Sequence, residues 1–304
     1  MLQRDPRVPE DDPMSTTSGG GGRRQGPTLR AQWLGQQLRE LRDQAGFTLR
    51  QAADYLERDP STVSRFESGE YPIRRADLLA LLDFYGVSDK RRRDLLLALR
   101  EEVWQRGWWD GYAEEFDRRF IDLVWLESRA REIRSFDNTT LPGLLQIREY
   151  ATAVIEAADF DIAPELLERG VELRMARQGV LSGDNPPHLR VILDEALLRR
   201  LVGGPAVLRA QLDHLVQCAQ RPNIEIRVLP FSAGAHASPY GAFQLITLDD
   251  PYPDVAYAET LTGGVYVEMP LAERFVRAYD RLEEMALGAL ESAELISTAA
   301  EGLR

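Results

Sequence analysis

The ten residues from Asp59 to Ser68, DPSTVSRFES, set four short hydroxyl side chains and one guanidinium around two apolar residues three positions apart. On a helix, Val63 and Phe66 share the inward face, which turns Ser61, Thr62, Ser64, Arg65 and Ser68 away from the core. Short hydroxyls let a helix backbone come close to a duplex, and an arginine can bridge the O6 and N7 acceptors of guanine. The chemistry this pattern offers is therefore base reading in the major groove of DNA. Asp59 followed by Pro60 suits the start of such a helix, because the carboxylate satisfies free amides where proline needs no donor.

A second group of residues invites a different chemistry. The stretch PFSAGAHASPYGAF clusters His236, Ser238 and Tyr240 in a long loop between two strands, and Asp194, Glu195 and Glu259 lie elsewhere in the chain. A Ser/His/acid relay can be drawn from these residue types, but no nucleophile elbow, glycine-rich phosphate cradle or metal spacing accompanies them. The expectation is a non-enzyme whose loop lines a pocket for a small ligand or peptide. Arg174, Arg177 and Gln178 share a helical face that could hold an anion or a partner's carboxylate, with salt bridging inside the domain as the blander alternative. Glu127, Arg129, Arg131 and Glu132 read as the solvated face of a helix whose Leu123, Leu126 and Ala130 stripe is buried. Cys218 is the only cysteine and there are three histidines, so no disulfide forms within the chain, and no metal site or cofactor is expected.

The elements that must position these residues follow from periodicity. Leu34, Leu38, Leu41 and Ala45 mark a first helix from Leu29, and Thr48 caps a second on Leu49, Ala52, Ala53 and Leu56. Pro60 to Ser68 forms the third, ended by Gly69. Leu78, Leu79, Leu82 and Phe84 supply a fourth, and Ser88 caps a fifth. The fold expected is an all-α helix-turn-helix domain of five helices over residues 29–100, followed by an α+β domain with a mixed sheet over 101–300. Within the latter, a long helix over 114–134 precedes helices over 148–158 and 164–180. Five strands follow on HLRVILD, NIEIRVLP, AFQLITL, DVAYAE and GVYVEM, with helices over 195–201 and 205–220 and a closing helix over 271–289. Residues 1–28, with the run Gly19 to Gly22, read as a disordered tail in which Arg23 and Arg24 belong to a solvated linker. Met14 is an alternative start that would leave the first thirteen residues untranslated.

Charge is partitioned along the chain. The net charge is −12, yet residues 29–100 carry 13 Lys/Arg against 11 Asp/Glu while residues 101–304 carry 20 against 34. The acidic balance lies in the second domain and leaves the first free to approach phosphates. A domain so weakly basic binds DNA poorly as a monomer, so a homodimer is expected, its two reading helices about 34 Å apart on an inverted repeat. No apolar run approaches the roughly 18 residues of a membrane span, and the charged, proline-broken N-terminus offers no signal peptide; a cytoplasmic protein is expected.

Over about residues 29–88 the spacing of Leu49, Ala53, Leu56, Val63, Phe66, Glu67 and Gly69 resembles the Xre-type, phage-repressor-like DNA-binding domains. That resemblance implies a buried pair between Arg42 and Glu67 tying the first helix to the third, and places Arg74 and Arg75 in a loop that lies along the DNA backbone. Leu49 stands where many such domains carry a DNA-contacting glutamine, which leaves phosphate contact there to Thr48 or Arg50. From about Trp108 to Ile296 the chain is similar to the effector domain of actinobacterial antitoxin-like regulators. The segments that carry this are WLESRARE, LPGLLQIREYA, RMARQGVL, ILDEALLRRLVGG, PNIEIRVLPFSAGAH and GAFQLITL. The likeness implies a small partner protein encoded nearby and a link to development and secondary metabolism. The expectation is a DNA-binding transcriptional regulator whose second domain binds that partner or a ligand; the alternative is an antitoxin-like protein that mainly sequesters the partner and binds DNA only for autoregulation.

Overall fold

A computed structural model describes residues 26–105, 107–159 and 161–303. The tail expectation, with Met14, Arg23 and Arg24, falls on residues 1–25 and so outside the described residues; Thr28, at its far end, is the N-cap of the first helix.

Five helices come first: α1 (Leu29–Gln44), α2 (Leu49–Tyr55), α3 (Pro60–Glu67), α4 (Arg75–Phe84) and α5 (Lys90–Trp104). Their boundaries are set locally. Thr28 Oγ1 accepts from the Ala31 amide, Thr48 and Gln51 form a reciprocal capping box, and Asp59 accepts from the Ser61 amide ahead of Pro60. The cap of α5 is Asp89 rather than Ser88, its carboxylate accepting from the Arg91 amide at 3.0 Å.

The second region is built on a six-stranded mixed sheet, in the order β3-β2-β1-β4-β5-β6. The strands are β1 (Ala130–Asp137), β2 (His188–Asp194), β3 (Ile224–Leu229), β4 (Phe243–Leu248), β5 (Val255–Thr260) and β6 (Gly263–Glu268). β1, β2 and β3 run parallel, whereas β4 pairs antiparallel with β1 and leads into the antiparallel run β4-β5-β6. The α+β class with a mixed sheet is thus observed. Its helices are α6 (Arg118–Arg129), α7 (Arg148–Ala158), α8 (Pro164–Arg177), α9 (Pro205–Cys218), α10 (Glu273–Met285) and α11 (Ala289–Gly302).

Two departures from the sequence reading matter. The segment expected as one helix over 114–134 is α6 followed without a loop by β1, a central strand of the sheet. Its alternate positions are charged, but the charges are satisfied across the sheet face: Arg134 faces Glu132 and Asp280, and Arg190 of β2 pairs with Glu225 and Glu283. The closing helix over 271–289 is likewise two helices. Ala286 is extended, the Leu287 amide donates to the Val228 carbonyl of β3 at 2.9 Å, and the Glu291 carboxylate accepts from the Gly288 amide to start α11.

Alternation along the strands divides the core. Ile133, Leu189, Val191, Ile224, Ile226 and Val228 point to the side covered by α9 and α11, through Leu208, Leu212, Leu215 and Ile296. Phe136, Ile192, Leu229, Phe243 and Leu245 point to the opposite side, under Tyr279 and Leu282 of α10. A third cluster runs from Leu34, Leu38, Val63, Phe66 and Leu78 of the helical region into Trp125 and Leu126 of α6 and Ile246 and Val255 of the sheet. The two regions therefore share one of their hydrophobic cores.

Candidate nucleic-acid interface

α3 owes its orientation to Val63 and Phe66, both buried where it packs on α1 and α2. Their spacing turns the other face out: Ser61, Ser64, Arg65 and Ser68 are exposed, and Thr62 is half-buried at the edge. Among the described residues no carboxylate pairs with Arg50, Arg65, Arg74 or Arg75, and all four are exposed. The Asp59 carboxyl is held below the ordinary carboxylate range by hydrogen bonds from the Ser61 hydroxyl and amide, with Arg65 adding to the effect. It stays ionised as the cap of the helix.

Beside α3 lies a groove of about 270 Å³ bounded by Arg58, Thr62, Arg65, Tyr71, Arg74 and Asp77. Arg58 was not singled out from the sequence; it stands 3.6 Å from Asp77 across this groove, and its position at the end of a short helix carried no periodic signal. Not every candidate is free to meet a phosphate. The Thr48 hydroxyl is engaged with Gln51 in the capping box, and the Ser68 hydroxyl donates to the Arg65 carbonyl at 3.3 Å. Arg74 is the N-cap of α4 and Arg75 its first residue, so both sit at a helix start rather than in a free loop.

α3 is fixed to α1 from two sides. Arg42 Nε donates to Glu67 Oε1 at 2.7 Å and Arg42 Nη2 to Glu67 Oε2 at 3.0 Å, a two-pronged pair with side-chain exposures of 9% and 7%. A further donation from Arg42 Nη1 reaches the Phe47 carbonyl at 2.9 Å. The Glu67 hydrogen bonds raise the Arg42 pKa above the ordinary guanidinium value. On the other side the backbones touch. A Cβ on Gly35 would lie 2.5 Å from the Glu67 carbonyl oxygen, and one on Gly69, at φ +72°, would lie 2.7 Å from the Ala31 backbone.

Helix α1 also meets the second region. Leu29 N–H donates to a buried Asp122 carboxylate, Trp33 Nε1 donates to Glu268, and Trp33 packs on Trp125 with ring centroids 5.7 Å apart. Arg30 lies over the Trp125 ring at 5.6 Å.

The candidate residues of the second region separate. Ser238 is buried and its hydroxyl donates to the Gly241 carbonyl at 2.7 Å, while His236 Nδ1 faces the Ser238 amide and its ring packs on Phe136. Serine and histidine are thus tied within the loop. Glu195 accepts from the Phe231 amide and pairs with Arg199, away from both. Tyr240, 90% exposed, stands at the rim of a cavity of about 730 Å³ that Arg174 and Arg177 also line. The solvated-face reading of Glu127 is overturned. It is buried, joined to Arg177 by hydrogen bonds of 2.7 and 2.9 Å, with side-chain exposures of 2% and 4%. Because α6 packs on α8 as well as on the sheet, its Glu127 position cannot reach water. Burial works against the Arg177 charge, and the pull of Glu127 outweighs it, leaving the guanidinium pKa above its ordinary value. Among the described residues no group of three or more His, Cys, Asp and Glu is placed to hold a metal ion, and no helix is long and apolar enough to cross a membrane.

Two family models match the chain. A helix-turn-helix domain matches residues 33–95 and the domain of unknown function DUF5753 matches residues 120–298. No curated protein and no solved structure matches.

Proposed function

Since the chain belongs to the DUF5753 family and carries a helix-turn-helix domain ahead of that region, we propose that it is a sequence-specific DNA-binding transcriptional regulator, Xre-like in its reading mode. It acts as a homodimer, and its C-terminal region answers a small ligand. The observation that supports this best is the outward face of α3. Ser61, Ser64 and Arg65 are exposed beside Arg74, with no carboxylate among the described residues paired to either guanidinium, while the helix beneath them is held by the Arg42–Glu67 pair. Positioned hydroxyls and an unpaired guanidinium on a rigid helix are what base-edge reading requires. The weak positive balance of residues 29–100 calls for two copies on one site, so that phosphate contacts add.

A binding protein fits the C-terminal region better than an enzyme, because Ser238 and His236 are held by their own loop. The test is genomic footprinting of the full chain with sedimentation of the protein–DNA complex. An inverted repeat with half-sites one helical turn apart and two chains per site are expected. Binding without sequence preference would end the regulator reading, and one chain on an asymmetric site would end the dimer. Co-purification with a small protein that blocks DNA binding would transfer the effector role from ligand to protein.

A further inference from the structure

The 730 Å³ cavity lies between α8, the ends of β4 and β5, and the turn at residues 138–143. It holds polar groups the fold leaves without partners. Arg174 Nη1 donates to Gln146 Oε1 at 2.8 Å, but its Nε is closed off from solvent and bonds to nothing among the described residues. Among the described residues no carboxylate lies within ion-pair distance of this guanidinium, whereas its neighbour Arg177 is matched by Glu127. Gln244 Oε1 and Tyr257 OH, on the same cavity wall, are also enclosed and unpartnered. Buried donors and acceptors are nearly always satisfied in folded proteins, and a buried charge without a counter-charge is the most costly case. One cation, one acceptor and one hydroxyl are thus gathered along a single cavity.

The charge balance narrows its class. Glu127 neutralises Arg177. Asp137, on the same wall, has its carboxyl pushed up to about 7 by burial against the pull of a Ser135 hydrogen bond, so it is mostly neutral below about pH 6 and about half ionised at neutrality. Burial and the nearby Arg177 lower Arg174 to about 10, which still leaves it a cation. Glu259 is exposed at the rim. Arg174 feels the more distant carboxylates of Glu259 and Glu127 but hydrogen-bonds to neither, so the site suits no more than a monoanion, whereas a phosphate dianion would bring surplus charge beside Glu259. Phe120, Leu123 and Val154 offer apolar wall for an organic body.

We propose that this cavity binds a small organic monocarboxylate carrying a hydroxyl or amine donor: the carboxylate pairs with the Arg174 guanidinium, and the ligand's donor meets the Gln244 side chain. This rests on the reading that the C-terminal region answers a small ligand and assigns that ligand's chemistry.

The test is calorimetric titration of the full chain with 3-phenyllactate, alongside 3-phenylpropionate, 3-phenyllactamide and inorganic phosphate. Saturable binding of phenyllactate at one per chain is expected, weaker for phenylpropionate and absent for the amide and for phosphate. Arg174→Gln should weaken phenyllactate by roughly tenfold or more, the loss expected of a charged hydrogen bond. Gln244→Leu should weaken phenyllactate while sparing phenylpropionate. Without ligand, Arg174→Gln should melt no lower than the parent, since it removes an unpaired buried cation; a clear fall would make Arg174 structural and overturn the proposal. So would phosphate binding that depends on Arg174, equal binding of the amide, or no binding of either carboxylate at millimolar concentration. DNA affinity measured with and without phenyllactate separates the two readings. Binding that leaves DNA affinity unchanged keeps the site and removes its regulatory role, whereas sequence-specific DNA binding with no carboxylate binding does the reverse.

Discussion

The Asp122 carboxylate accepts a hydrogen bond from the Leu29 backbone N–H at 3.2 Å, joining residues 93 positions apart and fastening the first turn of α1 to α6. An amide at a helix start has no partner within its own helix, so a buried carboxylate there both satisfies a donor and meets the positive end of the helix dipole. Asp122→Ala should leave the Leu29 amide unpaired and cost about 1–3 kcal/mol. Asp122→Asn keeps an acceptor oxygen and should cost less, as read by urea denaturation of the full chain.

The pH dependence of stability tests the two buried aspartates. Burial pushes the Asp122 carboxyl up to about 7, against the pull of the Leu29 amide, and burial does the same for Asp137. The unfolded chain ionises these groups near the ordinary aspartate value of 3.8. Between the two values the native state holds more protons, so each group's stabilising contribution is complete below about 4 and is lost as the pH rises to about 7. The slope is at most about 1.4 kcal/mol per pH unit per group. Asp137→Asn and Asp122→Asn should each flatten the profile between pH 5 and 7; an unchanged slope would mean that neither carboxyl is shifted.

Glu67→Ala removes the carboxylate facing Arg42. Arg42 retains the Phe47 carbonyl and Asp43, so the expected loss is near the lower end of the range for broken buried pairs, about 3 kcal/mol. Thermal unfolding that leaves the transition where it was would remove the pair's role in holding α3.

Arg177→Gln strands Glu127 in a closed site and should cost about 3–5 kcal/mol. The contrast with Arg174→Gln is the informative one: two arginines three residues apart on one helix, one matched and one not, should respond oppositely to the same substitution in differential scanning calorimetry.

Arg65→Ala should weaken operator binding by about 1–3 kcal/mol and relax preference at one base pair. Selection from a random DNA pool reads this directly, and an unaltered preferred sequence would remove Arg65 from the base-reading set.

Much of the architecture was legible because its signals are local. Thr48 with Gln51, and Asp59 with Pro60, mark helix starts in a few residues, and the five strands from His188 onward are bounded by glycine, proline and asparagine. β1 was not, because Arg131, Glu132 and Arg134 give it the look of a charged helix end. The charges that satisfy Glu132 and Arg134 lie on β2 and α10, far along the chain. The same reason hid Glu127, whose partner Arg177 is 50 positions away. Of the cavity, Arg174, Arg177 and Tyr240 were visible as reactive residue types; Gln244, Tyr257 and Asp137 were not, since what distinguishes them is enclosure.

The glycine contacts at Gly35 and Gly69 decide how any signal could travel. With only hydrogens between the backbones, α1 and α3 can neither slide nor tilt against one another without collision, so a push on Leu29 or Trp33 arrives at Arg65 as a change of pose of one solid block. Messages to the double helix would then be written in the distance between two such blocks, and the shape of each would stay the same.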